Sequence, residues 1–178
     1  MARTQAESAP TAAGEANGLA EFFEQHKRRA YIFALQMVGD PEDAMELTQE
    51  AFLRLHRRWR SRDPAKPVLP LLYAILRHLA IDLLRKRAVR HQEDADLERE
   101  PAPQPGPEAL AGREQLSAAL WQAILRLPPA QREVLLLKDY HGLRYEEIAR
   151  VTGTTPALVS SRLHDARERL RRRLARYL

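Results

Sequence analysis

The side chains of this sequence that could do chemistry are mostly cations. Arg77, His78, Arg85, Lys86 and Arg87 form one group, and Ser160, Ser161, Arg162, His164 and Arg167 form another. Guanidinium, ammonium, imidazole and hydroxyl donors gathered in this way suit phosphate oxygens and the edges of bases. The alternatives are thin. The chain has no cysteine, which removes disulfides and thiolate zinc sites, and its six histidines lack the i, i+4 spacing around a glutamate that a zinc protease uses. No metal and no cofactor is expected. No nucleophile and base pair up in the sequence and no phosphate loop is visible, so an enzyme is the weakest of the function classes.

Helices must hold these groups. Asp40-Pro41-Glu42-Asp43 is a helix start, with Asp40 as cap, Pro41 at the first helical position and two acids at the positive end of the dipole. The helix runs to about Arg60. At 100° per residue, Ala44, Leu47, Ala51, Phe52 and Leu55 fall on one side, and Glu46, Gln49, Glu50 and Leu53 on the other. A single exposed leucine is ordinary, yet one centred among two acids and an amide also has the form of a docking patch. After a break at Asp63 to Pro70, a second long helix carries Leu72, Ile75, Leu76, Leu79 and Leu83 on its apolar stripe. Arg77, His78, Ile81 and Arg85 lie opposite, with Lys86, Arg87 and Arg90 at its end. Cations at a helix C-terminus stabilise it by about 0.3 to 1 kcal/mol each, which accounts for the last of these but not for Arg77 and His78.

Further along, Tyr145 to Val151 is a short amphipathic helix, Thr152-Gly153-Thr154 a tight turn, and Thr155-Pro156 a cap followed by proline at the first position of another helix. This is a helix-turn-helix. Val159, Leu163, Ala166 and Leu170 form its packed side, while Ala157, Ser160, Ser161, Arg162 and His164 point outward or flank it. Small residues near the start of that helix allow close approach to a major groove. From Ser160 to Leu178 there are seven arginines against Asp165 and Glu168. Such a run is compatible with a solvated terminal face and with phosphate binding, and charge alone does not separate the two.

The 44% hydrophobic content, low aromatic content and dominance of Leu and Ala favour an all-α fold. Two small helical domains are expected, at 19–90 and 114–178. The tract 91–113 is acidic and holds the run Glu-Pro-Ala-Pro-Gln-Pro-Gly-Pro, whose alternating prolines cannot continue either flanking helix. It reads as a flexible linker. Residues 1–18 read as a disordered tail and not as a signal peptide, and no segment approaches the ~20 apolar residues that span a bilayer. No membrane insertion is expected, and the location expected is cytoplasmic.

Together these segments resemble the sigma-70 family, specifically its small extracytoplasmic-function group, which keeps only regions 2 and 4. The resemblance is carried by Gly39 to Leu55, Leu72 to Arg87, Leu127 to Leu135, Tyr145 to Ala149 and Val159 to Arg167, in order and at the family's spacing. It implies that Glu46, Gln49, Glu50 and Leu53 dock on the beta-prime clamp helices of core RNA polymerase. It implies that Tyr73, Arg77, His78, Arg85, Lys86 and Arg87 melt and read the minus-ten promoter element. Thr155, Ser160, Ser161, Arg162, His164 and Arg167 then belong to the helix that enters the major groove of the minus-thirty-five element, in a domain seated on the polymerase beta flap. Promoter DNA, core polymerase and an anti-sigma factor are the partners implied.

The sequence departs from the family pattern in places. Leu71 stands where a tryptophan is usual, and Tyr73 is a possible substitute for that aromatic. Arg144 replaces the Ser or Thr before Tyr145-Glu-Glu, so a looser helix start is expected there. Ser160 and Asp165 stand where basic residues are common. Two rival readings follow: a sigma-like decoy that binds an anti-sigma factor and never DNA, and a dimeric helix-turn-helix regulator, which leaves residues 40–90 without a role.

Overall fold

The computed structural model describes residues 12–93 and 112–175, and every regular element among them is helical. The expected tail at 1–11 and most of the expected linker, 94–111, lie outside the described residues. Helices α1 (Ala12–Val38), α2 (Pro41–Arg58) and α3 (Val68–Glu93) form a first bundle. A second is made by α4 (Gly112–Leu125), α5 (Pro129–Leu135), a π-helical turn (Leu136–Tyr140), α6 (Tyr145–Thr152) and α7 (Pro156–Leu174). Two boundaries correct the sequence reading. Helix α1 begins inside the stretch expected to be a tail, and α3 begins before Pro70, which falls in the first turn where an amide has no intrahelical acceptor to lose.

Local chemistry explains the starts. The Asp40 carboxylate accepts from the amides of Glu42 and Asp43 at 2.9 and 3.0 Å, closing the N-terminus of α2. Gly39, at φ +81°, makes the sharp reversal from α1, and a side chain there would also meet Leu125 at 3.2 Å. Phe33, Met37, Leu55, Leu72 and Leu76 fill the first core; Ile124, Leu127, Leu136, Leu137, Ile148 and Leu163 fill the second. Among the described residues, no helix is long and apolar enough to cross a membrane.

The two bundles are packed together. Helix α3 lies against α6, and α1 against α4 and α5. At this seam Arg132 donates to the carbonyl of Met37 at the end of α1 and to the Leu125 and Leu127 carbonyls of its own bundle.

Candidate functional site

The acidic and amide face of α2 is on the surface. Glu46 and Gln49 are exposed, Leu53 is 52% exposed, and Glu50 is half-buried with its carboxylate 2.7 Å from Arg54, which holds its pKa below the usual glutamate range. Leu53 and Gln49 are not isolated on this face. With Phe52 they form one wall of a groove of about 590 Å³ whose other wall is α1, through Leu19, Ala20, Phe23 and Glu24. Phe23 stands edge-on to Phe52 at 4.8 Å and remains 38% exposed. Sequence reasoning missed the α1 wall. The signal available was the Phe22-Phe23 pair, since neighbours about 100° apart on a helix cannot both face one core; here Phe22 packs on Trp59 and Phe23 faces the groove.

The cationic face of α3 is split. His78, Arg85 and Lys86 are exposed, and His78 Nδ1 donates to the Ala74 carbonyl at 2.6 Å. Arg87 is half-buried, pairs with Asp43 and donates to the Val38 carbonyl at 3.3 Å, tying α3 to the turn between α1 and α2. Tyr73 and Arg77 point the other way, into the seam. Tyr73 is fully buried between Phe33 and His141, and burial pushes its hydroxyl up to about 12. The expectation that Tyr73 replaces a missing surface aromatic is therefore corrected: in this arrangement it is a core residue with no face for a base. Arg77, 18% exposed, donates from Nε to Glu133 Oε2 at 2.6 Å.

In the helix-turn-helix, Gly153 at φ +66° ends α6, and the Thr155 hydroxyl accepts from the Leu158 amide at 3.2 Å to start α7. The start of α6 is not loose as expected. An arginine offers no acceptor to cap with, but Glu147 reaches back and accepts the Arg144 amide at 2.8 Å, the reciprocal half of a capping box. The predicted stripe of Val159, Leu163, Ala166 and Leu170 is buried, and Ser160, Ser161, His164 and Arg167 are exposed. Around them Tyr145, Ser160, His164, Arg167, Glu168 and Arg171 line a polar groove of about 300 Å³. Arg162 takes the flanking position of the two expected for it, 26% exposed and 3.8 Å from Glu133, which is fully buried. Burial pushes the Glu133 carboxyl above the usual glutamate range, with Arg77 and Arg162 pulling against it. Much of the terminal arginine run is also paired, Arg167 with Asp139 at 2.6 Å and Arg171 and Arg172 with Glu168. The solvated-face reading thus explains part of that run.

The described residues thus present two cation-bearing helices, α3 and α7, the second of them in a helix-turn-helix, and an apolar groove between α1 and α2. Comparison with known proteins decides the family. Residues 22–90 match the model of sigma-70 region 2, and residues 117–170 that of sigma-70 region 4. The chain belongs to the sigma-70 family.

Its relatives include extracytoplasmic-function sigma factors. It is 36% identical over 159 residues to the sigma factor SigE of Mycolicibacterium smegmatis, covering 88% of this chain and 62% of that protein. It is 35% identical to EcfG of Rhodopseudomonas palustris over 78% of this chain and 75% of that one. The fold matches the sigma factor RpoE solved with the anti-sigma factor NepR from Bartonella quintana, at TM-score 0.74 and 22% identity, over 89% of this chain and 98% of that one. As a sigma factor the chain is an initiation factor and not an enzyme. The two matched regions fall within the two bundles, region 2 between α1 and α3 and region 4 between α4 and α7.

Proposed function

We propose that this sigma factor binds core RNA polymerase through the groove between α1 and α2 and directs initiation by reading promoter DNA with α3 and α7, in the cytoplasm and under the control of an anti-sigma factor. The observation that carries the reading is the order of parts on one chain: an exposed Leu53 among Glu46, Gln49 and Glu50, then the cations of α3, then a helix-turn-helix with Ser160, Ser161 and His164 outward. Polymerase supplies the catalysis; the sigma factor supplies the address. Anchoring on duplex through α7 offsets the few kcal/mol per step needed to unstack bases near α3. His78, Arg85 and Lys86 are ready for phosphates as they stand, whereas Arg77 must first leave Glu133.

The test is in vitro transcription with core polymerase and a promoter library. Initiation at a subset of sequences is expected, and its absence alongside tight binding to an anti-sigma protein would favour the decoy. For the groove, Leu53→Asp should abolish core-polymerase binding while helicity stays unchanged; retained binding would remove this face from the interface.

A further inference from the structure

Three buried polar side chains of region 4 face region 2 from one short stretch, Arg132, Glu133 and His141. Arg132 reaches the Met37 carbonyl and Glu133 holds Arg77. The His141 ring meets the Tyr73 hydroxyl at 2.8 Å, and its own carbonyl accepts from Arg29 at 3.2 Å. Neither the docking groove nor the outward face of α7 includes any of the three. Yet one of their partners in region 2, Arg77, lies in the helix that the resemblance assigns to opened DNA. The face of α7 is treated differently, since Ser160, Ser161 and His164 stay exposed while the bundles are closed.

We infer that Arg132, Glu133 and His141 form an interdomain latch that takes Arg77 out of use on single-stranded DNA while leaving duplex reading by α7 intact. Glu133 occupies the guanidinium in place of a phosphate. The Arg77 contact is a charge-assisted hydrogen bond between a fully buried carboxylate and a guanidinium 18% exposed, so salt and distant phosphates screen it little. A DNA strand in solution therefore meets a form in which one of its contacts is already taken, and it binds that form more weakly than the open one by the worth of that contact. Closure is selective: the closed chain keeps the outward face of α7 and the exposed cations of α3, and the Arg77 contact is added when the bundles part. What Arg77 does once free rests on the sigma-factor reading; the latch itself does not.

The absence of native cysteine allows a dye pair on His56→Cys and Arg169→Cys, both exposed positions on opposite sides of the seam. Energy transfer between them reports closure in the full chain. Glu133→Gln should lower transfer and tighten binding of an oligo-dT strand by about tenfold, with affinity for a random-sequence duplex changed by less than about twofold. Arg77→Met leaves the Glu133 and Arg162 pair in place, so it preserves region 4; it should lower transfer equally and bring no gain in oligo-dT binding. Unchanged transfer in both variants, with circular dichroism like the wild type, overturns the latch. A parallel rise in duplex affinity overturns its selectivity. Adding core polymerase to the unsubstituted dye pair separates the two readings: no binding of polymerase counts against the sigma-factor reading alone, and binding with Glu133→Gln as closed as the wild type counts against the latch alone.

Discussion

Arg77 and Arg162 approach the same buried carboxylate from different helices, at 2.6 and 3.8 Å. Removing one changes what the other must neutralise. Arg162→Ala should lower stability by about 1 to 3 kcal/mol, because Glu133 stays buried with a partner missing. It should leave the salt slope of duplex binding nearly unchanged, and a slope reduced by about 0.9 in a salt titration would return Arg162 to the phosphate backbone. His141 gives a pH test. Burial against Phe33 and Tyr73, with the Arg29 guanidinium beside it, lowers its pKa from 6.5 to about 4. The unfolded chain then binds the extra proton between those values, so the contribution is whole above pH 6.5 and is lost as pH falls toward 4, on the order of 3 kcal/mol. Glu133, whose pKa is raised, works in the opposite sense in acid. Thermal midpoints measured from pH 7 to 5 should fall less steeply in His141→Gln than in the wild type. The sequence showed Ser160, Ser161 and His164 as outward because helical periodicity alone decides that. It could not show Tyr73 or Arg77 turned inward, because their partners lie 68 and 56 residues away.

Helices were the most legible level. The stripe on α7, the Asp40 and Thr155 caps and the Gly153 turn follow from neighbours within one turn, and all are present. Thr155→Ala should therefore lower the stability of region 4 by about 1 kcal/mol, read as a shift in its denaturation midpoint. Where several side chains can do one job, the reading was poorer. The start of α6 was expected to be loose without a hydroxyl, and Glu147 closes it from the other side. The π-helical turn had no signal in periodicity. It inserts His141 into the seam by bonding the His141 amide to Leu136 at 3.0 Å, and Gly142 at φ +71° follows it. The extent of α1 was likewise hidden, since its first residues carry little apolar pattern.

For the whole molecule, the division into two helical domains was legible from the proline-rich tract between them, but their docking was not. The seam depends on pairs such as Arg29 with the His141 carbonyl, separated by 112 residues, and no local pattern announces these. Burial of the Glu133 contact leads to a further expectation. Between low and high salt, the energy transfer across the seam should stay constant while duplex affinity drops steeply, since exposed phosphate contacts are screened and the Glu133 site is not. A seam that opens with added salt would mean that surface charge holds it.

Glu133 also limits how freely the two halves can be recombined. Sigma factors invite modular engineering, in which region 2 of one is joined to region 4 of another to pair new minus-ten and minus-thirty-five elements. Here a single carboxylate in region 4 meets an arginine from each half. A hybrid whose donor lacks a cation at position 77 or an acid at position 133 would fold as two sound domains and still lose their closed arrangement. Exchanging promoter preference and preserving self-restraint are, in this chain, one design problem.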